Sequence, residues 1–199
     1  MQITDRTVDV LECLCIDVRT MPLSIRGNNK FLLMVDEASK FVVTAAMADE
    51  KAETIKQVIW NKWMPYFGLP ADLHSDEGSN VAEETIRQLC YVLCIDKTIS
   101  SPYHPQANGL AERSIASIKT MVSSVCQSRD FSVHDWDKVI DECTLAHNNV
   151  ENESNGFAPT MQLFGANTRL PIDNIMGLKR SQPKESINKV VIRENVRIN

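Results

Sequence analysis

No apolar run in this 199-residue chain approaches the roughly 20 residues that cross a bilayer. The opening decapeptide MQITDRTVDV places acids where a secretory leader needs a basic and then an apolar segment, so export is not expected and a cytosolic or nuclear setting is. Positive charge is not in excess either: 21 Lys and Arg stand against 26 Asp and Glu, for a net charge of −5. Phosphate binding wants a basic face, so any affinity for nucleic acid has to come from local patches rather than bulk charge. The six cysteines, Cys13, Cys15, Cys90, Cys94, Cys126 and Cys143, form no CxxC pair and no His-His…Cys-Cys zinc pattern. Cys13 and Cys15 share a strand face and Cys90 and Cys94 a helix face, as buried free thiols of a reducing compartment do. Repeats and low-complexity tracts are also missing.

Apolar residues at 43% and charged residues at 24% are ordinary for a globular chain, and the length allows one sizeable core with a tail. Strands are expected at residues 11–18, 31–37 and 41–46, the last two close enough for an antiparallel meander. Asp49 is placed to cap a helix over 51–67, with a stripe of Ile55, Val58, Ile59, Lys62, Trp63 and Tyr66 and a stop at Gly68. A strand at 71–75 follows a helical crossover and should run parallel. A helix over 81–93 and a fifth strand at 96–99 come next. The prolines, Asn108 and Gly109 of SPYHPQANG predict a loop, and a helix then runs to about residue 127. A helix over 136–149 packs Trp136, Val139, Ile140, Cys143 and Ala146, and a short turn lies at 160–164. The division this suggests is a lead over 1–10, one α/β domain over 11–171, and a linker or tail over 172–199.

Three acids stand out. Asp17 interrupts the apolar run LECLCIDV, and a carboxylate inside a core strand needs a partner or a cation. Asp76 follows a strand-like segment where Gly78 and Asn80 signal a turn. Glu112 falls in the first turn of the expected helix, where an acid facing the helix dipole is the ordinary reading. Asp36 competes as a site acid, but a turn role beside Ser39 is preferred. Three converging carboxylates would repel one another, and divalent cations offset that repulsion.

Asp17, Asp76 and Glu112, with 35 residues between the last two, resemble the Asp-Asp-Glu triad of retroviral and LTR-retrotransposon integrases. Three flanking phrases do so as well: VDEASK, YFGLPADLHSDEGSN and SPYHPQANGLAERS, the last most similar to gypsy-type elements. The resemblance covers roughly residues 10–171. It implies a ribonuclease H-like α/β fold, a mixed five-stranded sheet flanked by helices with the first strand central and beside the fourth. It implies two Mg²⁺ ions, replaceable by Mn²⁺, with Asp17 bridging them, Asp76 completing the first and Glu112 the second. It also implies the reactions: water trims the 3′ end of a reverse-transcribed DNA, and the freed 3′-hydroxyl attacks a target strand without a covalent enzyme intermediate. DNA contact is implied at Lys119, seven residues after Glu112, and at Tyr103, His104, Gln106 and Asn108 in the loop beside it; where relatives carry a further lysine this chain has Ala116. His74 is read as a packed histidine. The domain is expected to pair with itself, helped by apolar Trp60, Trp63 and Met64.

Two other readings stay open: a non-catalytic DNA- or protein-binding module that kept the fold, and a ribonuclease H. The three acids favour an enzyme, and the integrase-like phrases with a helix-borne Glu argue against a ribonuclease H. The flanking zinc-binding module and the C-terminal barrel or chromodomain of full integrases are not legible. A fragment of a polyprotein, a degraded element and a domesticated gene all remain compatible with that.

Overall fold

The computed structural model describes residues 8–75, 87–88, 91, 95, 105–152 and 156–177, with the side chains of 52 and 105–112 excepted. Contacts divide the chain into two units, Met1–His147 and Asn148–Asn199.

In the first unit, period-2 patterning builds the sheet. Strand β1 is Cys13–Thr20, β2 Lys30–Asp36, β3 Val42–Met47 and β4 Asp72–Ser75, in the order β3-β2-β1-β4. β1 and β2 are antiparallel with Asp17 opposite Leu33. β4 runs parallel to β1, with Leu73 opposite Leu14 and Ser75 opposite Ile16. β1 is therefore internal and flanked by β4, as expected. Alternate residues feed two cores. Leu14, Ile16, Leu32, Met34 and Leu73 pack with Ile55, Ile59 and Trp63 on one face. Cys13, Cys15, Phe31, Leu33 and Val35 pack with Ile115, Ile118, Val122, Trp136 and Val139 on the other.

The helices differ from expectation at three places, each for a local reason. The helix expected over 51–67 is two, α1 (Ala52–Lys62) and α2 (Met64–Phe67), joined at Trp63. Pro65 has no N–H to continue the ladder, so the chain re-phases there. Trp63 stays buried while Tyr66, expected on the stripe, is 74% exposed. Gly68, at φ +78°, ends α2. Asp49 does not occupy the cap position, which is Lys51; its carboxylate instead accepts from the Lys51 N–H (3.1 Å) and the Thr54 hydroxyl (2.6 Å).

The third difference matters most for the site. Helix α3 spans Pro105–Ser128, so Gln106, Asn108 and Gly109 are helical rather than loop. A proline in the first turn breaks nothing, because its missing N–H would be unpaired there anyway. Glu112 is consequently the eighth residue of α3 and not in its first turn.

A 3₁₀ turn, Val133–Asp135, leads into α4 (Trp136–Asn149). The β1–β2 loop is stitched to this corner. The Asp137 carboxylate accepts from the Ser24 hydroxyl (2.7 Å) and the Asn28 amide (2.8 Å), and the Trp136 indole donates to the Pro22 carbonyl (2.8 Å). Buried Thr44 and Thr144 share a hydrogen bond of 2.6 Å between β3 and α4. Of the expected helix over 81–93 only Arg87, Gln88 and Tyr91, all helical, are described, and the expected strand at 96–99 lies outside the described residues.

In the second unit, α5 (Pro159–Phe164) and α6 (Pro171–Ile175) are short. Buried Thr160 donates its hydroxyl to the Asn148 carbonyl (2.9 Å), and the Asn149 side chain accepts from the Thr168 N–H (3.0 Å). Among the described residues no helix is long and apolar enough to cross a membrane.

Candidate active site

Asp17 is the fifth of the eight residues of β1, on the face of Cys13 and Cys15. That is the face covered by α3, whose Ile115 and Ile118 reach those two cysteines' core. α3 carries Glu112 one turn before Ile115; the Glu112 side chain lies outside the described residues. Asp76 lies outside them too, but the residue before it, Ser75, pairs with Ile16, the residue before Asp17. The structure thus brings together the strand of Asp17, the strand that leads to Asp76 and the helix of Glu112.

The Asp17 side chain is only 10% exposed, and one Arg19 guanidinium nitrogen, Nη2, stands 2.6 Å from its Oδ2. A carboxylate this far out of water needs a counter-cation, and Arg19 supplies one. Sequence reading missed Arg19. The signal was available: residues i and i+2 of a strand share a face, so Asp-Val-Arg places the guanidinium beside the carboxylate.

The remaining candidates separate cleanly. Lys119 is half-buried beside buried Ile118 and Val122 of α3. Gln106 and Asn108 belong to the first turns of that helix, while Tyr103 and His104 lie outside the described residues. His74 is half-buried and registered opposite Cys15, on the same face as Asp17. Asp36 is a structural acid, as preferred. It is fully buried; Oδ1 accepts from the Leu11 N–H (2.8 Å), and Oδ2 accepts from the Ser39 N–H (2.8 Å) and hydroxyl (2.5 Å).

A separate donor cluster joins Cys13, Cys15 and Glu37, whose ligand atoms lie within 4.8 Å of one another. The Cys15 contact, burial and the Glu37 carboxylate push the Cys13 thiol far above its ordinary range. It stays a protonated core thiol. Cys13, Cys15, Cys126 and Cys143 are all free and buried, as expected of them, while Cys90 and Cys94 lie outside the described residues.

An oxygen-only donor set of carboxylates suits a hard divalent cation such as Mg²⁺ or Mn²⁺ and suits no thiophilic metal. Asp17 fits that role on chemistry: its oxygen already holds a cationic group in a poorly hydrated place.

The chain is similar to known proteins. Residues 9–105 match the model of the integrase core domain. The chain is 30% identical over 166 residues to the Pro-Pol polyprotein of feline foamy virus, covering 83% of this chain and 14% of that one. It is 23% identical over 172 residues to the Pol polyprotein of transposon 412 of Drosophila melanogaster, covering 86% of this chain and again 14% of the relative. Among solved structures, the catalytic core domain of BIV integrase aligns with a TM-score of 0.59 at 21% identity, over 77% of this chain and 94% of that one. A simian T-cell lymphotropic virus intasome in complex with PP2A regulatory subunit B56 gamma aligns with a TM-score of 0.64 at 17% identity, over 87% and 58%.

The fold is the ribonuclease H-like α/β fold, with four strands among the described residues. The chain belongs to the integrase core domain family, as a catalytic core of the retroviral and retrotransposon type. It spans 14% of the length of these two polyprotein relatives.

Proposed function

We propose that this chain is the catalytic domain of a retrotransposon- or retrovirus-type integrase, cutting and joining phosphodiesters in DNA. The observation that carries the reading is the setting of Asp17: a nearly buried carboxylate on an internal strand, beneath the helix that bears Glu112, level with the end of the strand that runs into Asp76. Asp17, Asp76 and Glu112 would hold the metal. Bound between them, a pair of Mg²⁺ ions would activate the attacking oxygen and neutralise the leaving one. The chain's own contribution is rigidity: β1 is held on both flanks and α3 is bolted down through Ile115, Ile118, Val122 and Cys126, so the carboxylates are presented on fixed elements. No Ser, Cys or Tyr nucleophile is called for, because water and a DNA 3′-hydroxyl are the attacking groups in turn.

DNA is the substrate, both as element end and as target. Lys119, Gln106 and Asn108, all on α3, together with Tyr103 and His104, are its contacts. Contacts of this kind go to phosphates and are tolerant of sequence. The working form is a self-associated one. Trp60, at 54% exposed, and exposed Tyr66 leave apolar surface on α1 and α2, continued by exposed Leu69 just after α2, whereas Trp63 is spent in the core. The setting is the cytoplasm or nucleus. The decisive experiment is Mn²⁺-dependent joining of a labelled donor oligonucleotide to plasmid DNA: joining by wild type and none by Asp17→Asn is expected. No joining by wild type, or joining that survives Asp17→Asn, refutes the reading.

A further inference from the structure

Arg19 follows Asp17 by two positions on β1, so both side chains leave the strand on the sheet face that α3 covers. Its Nη2 is 2.6 Å from Asp17 Oδ2, with Arg19 35% and Asp17 10% exposed. Its Nε is buried and has no hydrogen-bond partner. One end of the guanidinium is engaged and another donor is unspent.

We propose that Arg19 is a resident counter-cation that competes with the divalent metal for Asp17 and is released to a DNA phosphate when the site loads. The inference rests on the reading of Asp17 as a metal ligand. Oδ2 can direct its electron density at the guanidinium or at a divalent ion. With both in place two cations would crowd one oxygen. Loading therefore frees Arg19. A guanidinium presents five donors in a planar fork that matches phosphate oxygens, and a phosphate would also satisfy the buried Nε. The arrangement couples the two ligands reciprocally. A phosphodiester that captures Arg19 unmasks Asp17 and tightens metal binding, and metal in turn tightens phosphodiester binding. With Arg19 in place, the poorly hydrated Asp17 carboxylate keeps a cation beside it while the site is empty.

The test is the melting temperature of the wild type, Arg19→Gln and Arg19→Lys against Mg²⁺ concentration, with and without a short DNA duplex. Removing the competing charge should lower the half-saturating Mg²⁺ concentration about fivefold in Arg19→Gln, the scale of a partly exposed ion pair. Arg19→Lys, which keeps the charge, should stay near wild type. The duplex should lower the half-saturating concentration for wild type and not for Arg19→Gln. Equal half-saturation in wild type and Arg19→Gln, with a clear metal-dependent rise in both, overturns the competition and leaves the metal site standing. A wild type with no metal-dependent rise removes the metal site itself, and the inference with it. Should Arg19→Gln fail to fold, the Arg19 Nε–H resonance of wild type decides: it is expected to shift with the same half-point as the melting temperature. A resonance unmoved across that range overturns the proposal.

Discussion

Replacing Asp36 by Ala separates the structural acid of this fold from its candidate catalytic one. Asp36 is fully buried and accepts three hydrogen bonds: from the Leu11 N–H at 2.8 Å, the Ser39 N–H at 2.8 Å and the Ser39 hydroxyl at 2.5 Å. The alanine leaves all three donors without their acceptor. Leu11 is half-buried and can turn to water, but Ser39 is as buried as Asp36. Two donors are then stranded at about 1–3 kcal/mol each. Some of that is returned because a charged group no longer has to be held out of water. A net loss of about 3 kcal/mol is expected, which for a chain of this size lowers Tm by about 6–12 °C. Asp36→Asn keeps one acceptor oxygen and should lose about 1–2 kcal/mol. Ser39→Ala combined with Asp36→Ala should cost less than the two single changes added, since both remove the Ser39 hydroxyl–Asp36 bond. Urea and thermal unfolding supply the numbers, each with and without Mg²⁺. The metal-dependent gain should survive in every Asp36 variant that folds. A stable Asp36→Ala protein that has lost its metal response would refute the reasoning and move the site to the β2 end.

Three further outcomes are expected. Glu112→Gln should leave metal-free stability unchanged or slightly higher while abolishing joining and most of the metal-dependent rise in Tm; because Glu112 is eighth in α3, a dipole loss of about 0.5 kcal/mol should not be seen, and a variant with full metal response and full joining would remove Glu112 from the triad. Burial pushes the His147 imidazole below its ordinary 6.5, so the unfolded chain takes up that proton more readily; the stability involved is present above pH 6.5 and lost as pH falls through the folded value. His147→Gln should flatten the stability profile between pH 6.5 and about 4.5, above the point where Asp49, Asp135 and Glu142, also held low by their hydrogen-bonding partners, begin to matter, and an unchanged slope would count against it. Trp60→Glu should shift sedimentation toward monomer at tens of micromolar without lowering Tm, since Trp60 is half exposed; unchanged association would place the self-contact elsewhere.

Much of the frame was legible in the residues alone because it rests on local periodicity. Alternation along LECLCIDV placed β1 to within two residues, a helical crossover made β4 parallel, and the stripe Trp136–Val139–Ile140–Cys143 located α4 as found. The cost of a carboxylate in an apolar strand marked Asp17, and a serine three residues on marked Asp36 as a turn acid. These are properties of short stretches, and short stretches carry them. What tertiary structure decided is of another kind. Whether Pro105 ends a loop or begins a helix depends on which hydrogen bonds its neighbours need, and that choice moved Glu112 from the first turn into the body of α3. Whether Pro65 interrupts a helix depends on the core that Trp63 has to fill, and the break turned Tyr66 outward. The burial of Asp17's face and its cover by α3 required strands and helices to be stacked. A sequence spells out which side chains alternate, and so which can stand together on one face; only packing selects the face that is buried and the helix that covers it.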